Sequence, residues 1–479
     1  MLTVEEIQHF ITRDKTDSRK TQAKLGISYY EGRHKIMGSR IFYVDGNGEV
    51  QEDKYRSNIK ISHPFFTELC DQQVQYMLSS DESFIKSDIP ELQEELDKYF
   101  DADFKSELSE CLLGCITKGY DYLYAYKNID DRLQFMHADG LGVIELRDNE
   151  CDDRVEHVIY YYLDRIGKNQ EKITRIQVWD KEQTYYYVQS DEGKIELDKD
   201  KPINPRPHIV YTKEGDKSLY YDGFGFIPFF RLDNNLKRAS NLGPVKDLID
   251  DYDLMSCSLS NNLQDVNEAL YVVSGFEGDN LDELIHNIKT KKVVGTNPEG
   301  GIDIKTIDIP YQARQVKLEL DEKNIYRFGM GFNSAQVGDG NVTNIVIKSR
   351  YALLDLKCNK LEIRLKQFLR KIVKCVLEEI KQNFEANYTI KDVYFEFERE
   401  VMTNAADNAQ IKLIEAQTEQ AKVNTLLGVA ASLGNESVSQ KLCDILDLDF
   451  DEVQKYIVAD PATELKRLMD NGQGDNMEI

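Results

Sequence analysis

The sequence lacks any apolar run near the length of a membrane span, and it holds one tryptophan and ten prolines among 479 residues. A transmembrane helix needs about 20 consecutive, mostly apolar residues, so we expect a soluble protein without a membrane partner. The N-terminus, Met1 to Glu6, is acidic and amphipathic and has no signal-peptide pattern. These absences predict a protein that stays in the cytoplasm where it is made.

Enzyme signatures are absent as well. The chain has no GxSxG, HExxH, Walker A or kinase motif, and its seven histidines are dispersed. Cys111 and Cys115 would share one helix face, but no second pair or clustered histidine completes a zinc set. His137 lies near Asp139, a pairing too common to indicate catalysis. We therefore expect buried reduced thiols, no metal, no cofactor and no enzymatic activity.

The charge of the chain is unevenly distributed. The formal net charge is −25, yet residues 348–374 carry nine basic side chains against only Asp355 and Glu362. This stretch therefore has a local charge of +7, and the rest of the chain carries −32. A strongly acidic balance argues against general adhesion to nucleic acid or anionic membrane.

The same stretch has the pattern of one long helix. Its apolar positions alternate in steps of four and three, the spacing of a coiled-coil seam: Ile347, Tyr351, Leu354, Cys358, Leu361, Leu365, Phe368, Ile372 and Cys375. A second stripe repeats every seven residues: Arg350, Lys357, Arg364 and Lys371. A solvated face, salt bridges to acidic neighbours and DNA contact all remain open for this stripe.

The order of segments predicts an α+β fold. Helical patterns fill the N-terminal part, including an apolar helix opened by Asn58, and short strands with polar turns follow from Tyr120 to Phe230. A last strand, Asp392–Arg399, is expected to return to the N-terminal sheet. Helical patterns at Ala405–Leu433, Val438–Leu446 and Phe450–Tyr456 indicate a C-terminal helical domain.

Two long helices bracket a small α/β insert. The first begins at Gly243-Pro244 and runs to about Glu268, and the second covers Arg314 to about Phe328. We expect the first helix to pack through an apolar face that includes Leu248, Tyr252, Leu259 and Leu263. Such helices could close a ring by a heterologous contact between copies, or form an ordinary two-helix hairpin in a monomer.

Four aspartates cluster at the start of the first long helix: Asp247, Asp250, Asp251 and Asp253. The helix dipole accounts for Asp247 most directly. A solvated face is the plain interpretation of the cluster, and an acidic channel wall or bridges between subunits are the alternatives. Helical spacing does not bring these carboxylates together as metal ligands.

The loop from Gly329 to Asn344 is rich in glycine and small polar residues. It follows a helix, lacks the Lys-Ser/Thr of a P-loop and has Ser334 where a GxGxxG motif needs glycine. We therefore favour a mobile loop over a nucleotide site, with Thr343 or Asn344 capping the next helix.

Several segments resemble the portal (head–tail connector) proteins of tailed bacteriophages, in the branch common among siphophages of Gram-positive hosts. The resemblance covers nearly the whole chain and is carried by Tyr29–Gly32 with Ile36 following, and by 58–66 (NIKISHPFF), 225–235 (GFIPFFRLDNN), 241–256 (NLGPVKDLIDDYDLMS) and 261–265 (NNLQD). The last two segments, in this order with the helices and the loop, are the most specific part of the resemblance.

The resemblance implies a portal-like subunit with a wing of helices and antiparallel sheet, a two-helix stem, a small α/β clip, a long kinked helix and a helical crown. The implied boundaries are 1–237 for the wing, with 347–402 returning to it, 238–267 and 311–333 for the stem, 268–310 for the clip, 334–346 for a tunnel loop, 347–384 for the long wing helix, 403–470 for the crown and 471–479 for a disordered tail.

The resemblance also implies a function. About twelve copies would form a ring at one capsid vertex, the channel for double-stranded DNA during packaging and ejection. The tunnel loop would touch the DNA through Ser334, Gln336, Val337, Gly338, Asp339, Gly340, Asn341, Val342 and Thr343. Implied partners are the terminase large subunit, a head-completion or adaptor protein, and the major capsid and scaffolding proteins, in a virion component assembled in the host cytoplasm. A nucleic-acid-processing enzyme and a monomeric protein-binding adaptor are the alternatives.

Overall fold

The computed structural model describes most of the chain. The described residues are 2–44, 48–53, 56–80, 83–128, 132–147, 155–166, 171–190, 193–212, 218–265, 270–274, 301–305, 310–333, 344–384, 387–399, 405–429 and 435–446. They divide into two compact units: Met1–Gly338 with Arg350–Glu400, and Asp339–Ser349 with Val401–Ile479. Within the described ranges, no helix combines the length and hydropathy of a membrane span.

The first unit begins with helices whose ends follow local capping rules. They are α1 (Val4–Lys15), α2 (Ser18–Tyr30), α3 (Phe65–Met77), α4 (Pro90–Tyr99) and α5 (Ala102–Lys118). Thr3 and Glu6 form a capping box on α1, Asp101 caps α5, and Gly119, at φ +99°, ends α5 as its spacing predicts. The helix expected from Asn58 begins only at Phe65, because Pro64 disfavours helical geometry in the residue before it.

Antiparallel strands follow from Tyr120 onwards, as the sequence predicts. The strands are β1 (Phe42–Val44), β2 (Val50–Glu52), β3 (Ile85–Lys86), β4 (Tyr120–Lys127), β5 (Leu133–Ala138), β6 (Val143–Arg147), β7 (Val155–Ile166), β8 (Glu171–Trp179), β9 (Gln183–Gln189), β10 (Ile195–Leu197), β11 (Arg206–Pro207), β12 (Ile209–Thr212), β13 (Leu219–Asp222) and β14 (Phe229–Asp233). The short strands β1, β2 and β3 lie between the helices, where the sequence predicts none. One sheet has the order β10-β9-β8-β7-β6, with β11 also paired to β9, and packs on α1 through Ile7 and Ile11. A three-stranded sheet has the order β14-β4-β5 and lies against α5.

The two long helices predicted around residues 242–328 are present and pack on each other. They are α6 (Lys246–Asp265) and α7 (Tyr311–Gly329). The strands β15 (Leu270–Ser274) and β16 (Gly301–Lys305) pair antiparallel between them. The helix expected at 281–290 lies outside the described residues.

The longest helix, α8 (Asn344–Phe384), has 41 residues without interruption and is about 60 Å long. The predicted seam is buried from Leu354 to Cys375, and each seam residue in this range is 0–7% exposed. The helix begins three residues before the predicted Ile347. The expected return strand is shorter than predicted: it is β17 (Tyr394–Phe395), which pairs with β3 in a two-stranded sheet.

In the second unit, α9 (Ala405–Val429) and α10 (Asn435–Leu446) pack against each other. They match two of the three C-terminal helices that the sequence predicts. The third, at 450–456, and the tail after 470 lie outside the described residues.

Candidate functional site

An irregular segment, residues 57–63, runs along helix α6 and is bound to it through every second backbone amide. We call this segment the strap. The four bonds run from Ser57 N to Asp265 Oδ1 (3.2 Å), from Ile59 N to Asn261 Oδ1 (2.7 Å), from Ile61 N to Cys257 Sγ (3.2 Å) and from His63 N to Asp253 Oδ1 (3.0 Å).

The periods of the two elements match. Two residues of extended chain advance about 6.6 Å, and four residues of helix advance about 6.0 Å. Amides at i and i+2 of the strap therefore meet side chains at i and i+4 on one face of α6. Most of these residues belong to segments that carry the portal resemblance, and in the structure these segments pack on each other.

Asp253 is the centre of this face. Its carboxylate is fully buried and lies 2.6 Å from His34 Nδ1 and 2.8 Å from His63 Nδ1. His34 Nε2 lies 3.1 Å from the Tyr29 carbonyl oxygen, so both ring nitrogens of His34 face acceptors. Burial raises the pKa of Asp253, but the hydrogen bonds from His34 and His63 outweigh it and hold this pKa below its ordinary value.

A second contact joins α2 to α6. The Tyr29 hydroxyl donates to Asp250, which also accepts from Lys246 Nζ at 2.6 Å. Burial, followed by the hydrogen bond to Asp250, raises the pKa of Tyr29 to about 12. The Tyr29 ring also stacks on His34, with centroids 4.7 Å apart. The segment Tyr29–Gly32 is therefore bound to the same helix as the strap.

The plain interpretation of the aspartate cluster, a solvated helix face, is therefore wrong. Only Asp247 is fully open to solvent, at 99% side-chain exposure. Asp251 binds Lys317 Nζ of α7 at 2.5 Å, and Lys317 also binds Asp321. The cluster links α6 to α2, to the strap and to α7.

The face of α6 that is buried in the subunit overlaps only partly with the apolar face that the sequence predicts. The buried residues of this helix are Ile249, Asp253 and Cys257. Leu248, Tyr252 and Leu259 are half-buried, and Leu263 is 56% exposed. Tyr252 packs edge-on against the rings of His63 and Phe65, both 4.8 Å away between centroids. The sequence pattern missed Asp253 because a polar residue interrupts the apolar periodicity there.

The predicted DNA-contacting loop residues, 334–343, lie outside the described residues, but the chain before them is described. The end of α7 is tied to α3: Gln72 Nε2 donates to Phe332 O at 2.7 Å, and Phe332 N donates to Gln72 Oε1 at 2.9 Å. The Phe332 ring stacks on Tyr351 of α8, with centroids 4.6 Å apart. The loop thus departs from a fixed point between three helices.

Tight packing reinforces this point. A Cβ on Gly329 would lie 2.6 Å from Leu69 Cδ1, and one on Gly331 would lie 2.2 Å from Leu69 Cδ2. Met330 between them has φ +54°, a left-handed conformation that is uncommon for a residue with a side chain. The glycines of this segment therefore allow close approach to α3, whereas the sequence interpretation considered only loop mobility.

The basic stripe of α8 does not act as one surface. The Lys357 ammonium points inward and donates to the Gly329 carbonyl at 2.8 Å, and burial lowers its pKa. Arg364 and Lys371 line a cavity beside β14, and Arg350 is half-buried. The helix acids Asp355 and Glu362 pair instead with Arg399, and Glu362 also pairs with Lys366 at 2.7 Å.

Other predicted candidates have structural roles. His137 Nε2 bonds to Asp121 at 2.8 Å rather than to Asp139, and Lys118 bridges both aspartates at 2.7 Å each. Seven cysteines in the described ranges are free and buried, including Cys111 and Cys115, whose thiol pKa values burial raises. The described residues contain no group of three or more His, Cys, Asp or Glu arranged to hold a metal.

Comparison with known proteins agrees with the resemblance. Residues 9–438 match the family model described as "Phage portal protein, SPP1 Gp6-like". The chain is 28% identical to the portal protein of Bacillus phage SPP1 over 72% of its own length and 67% of that protein. It is 24% identical to the portal protein of Clostridium phage phiCD119, over 86% of this chain and 89% of that one. With most of its length covered by the family model, this chain belongs to the SPP1 Gp6-like family of phage portal proteins.

Proposed function

We propose that about twelve copies of this portal protein form a closed ring at one capsid vertex, and that double-stranded DNA enters and leaves the head through its channel. Membership of the portal family supports a structural role in the virion. The ring, its subunit number and the path of the DNA are our inference.

The observation that carries the ring is the pair of stem helices. Several apolar side chains on α6 and α7 are left uncovered by the chain: Leu254 (48%), Leu263 (56%), Val316 (64%) and Leu320 (52%). At 100° per residue, Leu254 and Leu263 lie on opposite sides of α6. A subunit with a neighbour on each side would cover both, as a heterologous ring contact requires.

The strap and the Asp253 contacts would hold each stem at a fixed position on the wing. Because each stem would be fixed relative to its wing, the stems of all subunits would lie at the same distance from the ring axis, and the channel would keep one diameter. The wing, stem, clip and crown boundaries given above remain predictions, as does the role of the loop 334–343 in touching DNA.

The partners follow from the same proposal. The terminase large subunit would dock at the clip during packaging, and a head-completion or adaptor protein would replace it there. Major capsid and scaffolding proteins would contact the wing, and assembly would take place in the host cytoplasm. Energy for translocation would come from the terminase motor, so this chain needs neither a cofactor nor an enzymatic activity.

Light scattering on the purified protein, with negative-stain images of the same peak, tests the ring. We expect a mass of about twelve 55.4 kDa chains and a central hole. Open filaments would contradict the closed ring, and ATP hydrolysis or nuclease activity in that peak would favour the enzyme alternative. A stable monomer that persists with scaffolding protein present would favour the adaptor.

A further inference from the structure

The three-stranded sheet β14-β4-β5 has two edges of opposite electrostatic character. Strand β14 forms one edge and β5 the other, with β4 between them. Sheet edges expose backbone groups and often become contact sites between chains. The side chains around each edge decide what such a contact would recognise.

A cavity of about 610 Å³ lies at the β14 edge. Six cations line it against the two acids Glu145 and Asp233: Arg147, Lys181, Arg231, Arg238, Arg364 and Lys371. Arg364 and Lys371 come from α8, so half of the basic stripe contributes to this surface. A surplus of four positive charges is concentrated here in a chain of net charge −25.

The two acids neutralise only some of these cations. Glu145 binds Arg231 and, at 2.9 Å, Arg147. Asp233 binds Arg231 at 2.8 Å and Arg238 at 3.4 Å. Lys181, Arg364 and Lys371 make no ion pair with any residue that the structure describes. Within the described residues, the charge of these three side chains is not compensated by an ion pair.

Apolar side chains also line the cavity. Phe226 and Ile227 line it, and Leu236 beside them is 88% exposed, the highest exposure of any large apolar side chain in the described ranges. Exposed apolar area beside unpaired cations is typical of a protein contact, with an apolar centre and a charged rim. A DNA duplex is too wide to enter a concavity of this size.

The β5 edge carries the opposite charge. Its amides at Leu133 and His137 donate to the carboxylates of Glu379 (3.2 Å) and Glu107 (2.6 Å). The flanking residues 90–110 contain eight acids and two bases. Among these acids, Glu94 and Asp103 are exposed and unpaired in the described part of the chain.

We propose that the cation-rich cavity at the β14 edge binds the acidic α4–α5 surface at the β5 edge of the adjacent copy. A heterologous contact that repeats around a ring requires two complementary surfaces on different faces of one subunit, and opposite charge makes these two surfaces complementary. The inference rests on the proposed ring and identifies a wing contact that joins neighbouring copies, in addition to any contact through the stems.

Charge reversal in two variants tests the contact. One variant carries Lys181→Glu and Lys371→Glu, and the other carries Glu94→Lys and Asp103→Lys. Each alone should place like charges against each other and lower the ring fraction by about tenfold or more at a fixed concentration. An equimolar mixture should restore rings, because the cavity of each variant then meets the complementary surface of the other. Native mass spectrometry should find both variants in one ring.

Ring formation in the mixture shows that each variant is folded and has lost only the contact, because misfolded chains would not regain assembly on mixing. A matched control carries Arg19→Glu and Lys24→Glu, two exposed bases outside the cavity, and should assemble like the unmodified chain. Failure of the unmodified chain to form rings would refute the proposed function itself. Rings that form normally from either reversed variant alone would refute only this contact.

The remaining outcome concerns DNA. If the Lys181→Glu, Lys371→Glu variant forms normal rings but binds a single-stranded oligonucleotide more weakly than the control, the cavity is a nucleic-acid site. That result overturns the proposal.

Discussion

Replacing Asp253 with asparagine should destabilise the packing of α6 on the strap and on α2 more than any other single charge change in α6. The carboxylate accepts from both His34 and His63 and from the His63 amide, and it has no solvent exposure. A hydrogen bond to a charged group contributes about 1.5–3 kcal/mol, and asparagine offers one acceptor oxygen where aspartate offers two, so the substitution should cost about 3 kcal/mol. The entropy of unfolding is about 2.1 cal/mol/K per residue, so in a unit of this size each kcal/mol shifts the midpoint by only about 1 °C, and the melting midpoint should fall by about 4 °C.

The natural control is Asp247→Asn, on the same helix. Asp247 is 99% exposed and its contact with Lys246 is 3.6 Å long, so the free energy of unfolding should change by less than about 1 kcal/mol. Differential scanning fluorimetry of monomeric protein compares the two variants. Hydrogen exchange at the His63 amide shows whether the strap is released in the Asp253 variant alone.

The pH dependence gives an independent check. The pKa of Asp253 is lower in the folded protein than its ordinary value of 3.8. Its contribution is therefore present in full above about pH 4 and is lost as the pH falls through the folded pKa. The difference between the unmodified chain and Asp253→Asn should shrink as the pH falls from about 5 to about 3. If the two proteins melt alike at pH 7, or their difference stays unchanged down to about pH 3, the reasoning is refuted.

Four further predictions follow from other contacts. Asn261→Leu removes the acceptor of the Ile59 amide, so unfolding should become easier by about 1 kcal/mol and that amide should exchange faster. Lys357→Met should leave DNA packaging unchanged and alter the free energy of unfolding by less than about 1 kcal/mol, because the lost hydrogen bond is offset by relief of a buried charge. Leu263→Asp should keep the subunit folded, since the side chain is 56% exposed, yet prevent ring assembly in light scattering. Deleting 335–343 should leave rings intact and abolish DNA packaging or retention in a complementation assay.

Each of these has a result that would contradict it. Unchanged exchange at Ile59 would mean that the strap is held elsewhere, and a packaging defect in Lys357→Met would return this residue to the DNA channel. Normal rings from Leu263→Asp would place the subunit contact on another face of α6. Loss of rings on deletion of 335–343 would make that loop part of the assembly contact.

Local patterns in the sequence predicted the features that depend on local rules. The seam of α8 follows helical periodicity from Leu354 to Cys375, and Gly119 ends α5 because a glycine accepts the left-handed conformation there. The two stem helices were predicted with starts that differ by three residues or fewer from the structure. Their pattern was strong because one side of each helix is apolar.

The strap and the Asp253 site could not be predicted in this way. Asp253 is 219 residues from His34 and 190 from His63, and no periodicity within one segment records a bond over such a separation. Asn58 was interpreted as a helix start because it precedes an apolar run, whereas the strap amides are satisfied by α6. The only sequence signal was the resemblance itself, which marked both partners without showing that they touch.

The strap has a mechanical consequence. Its four bonds to α6 lie side by side along the helix axis. A force along that axis strains all four bonds at once, so they resist it together. A force that lifts the strap from the helix breaks them one after another, beginning at an end. The joint between the strap and α6 therefore resists sliding along the helix axis and yields to peeling from one end.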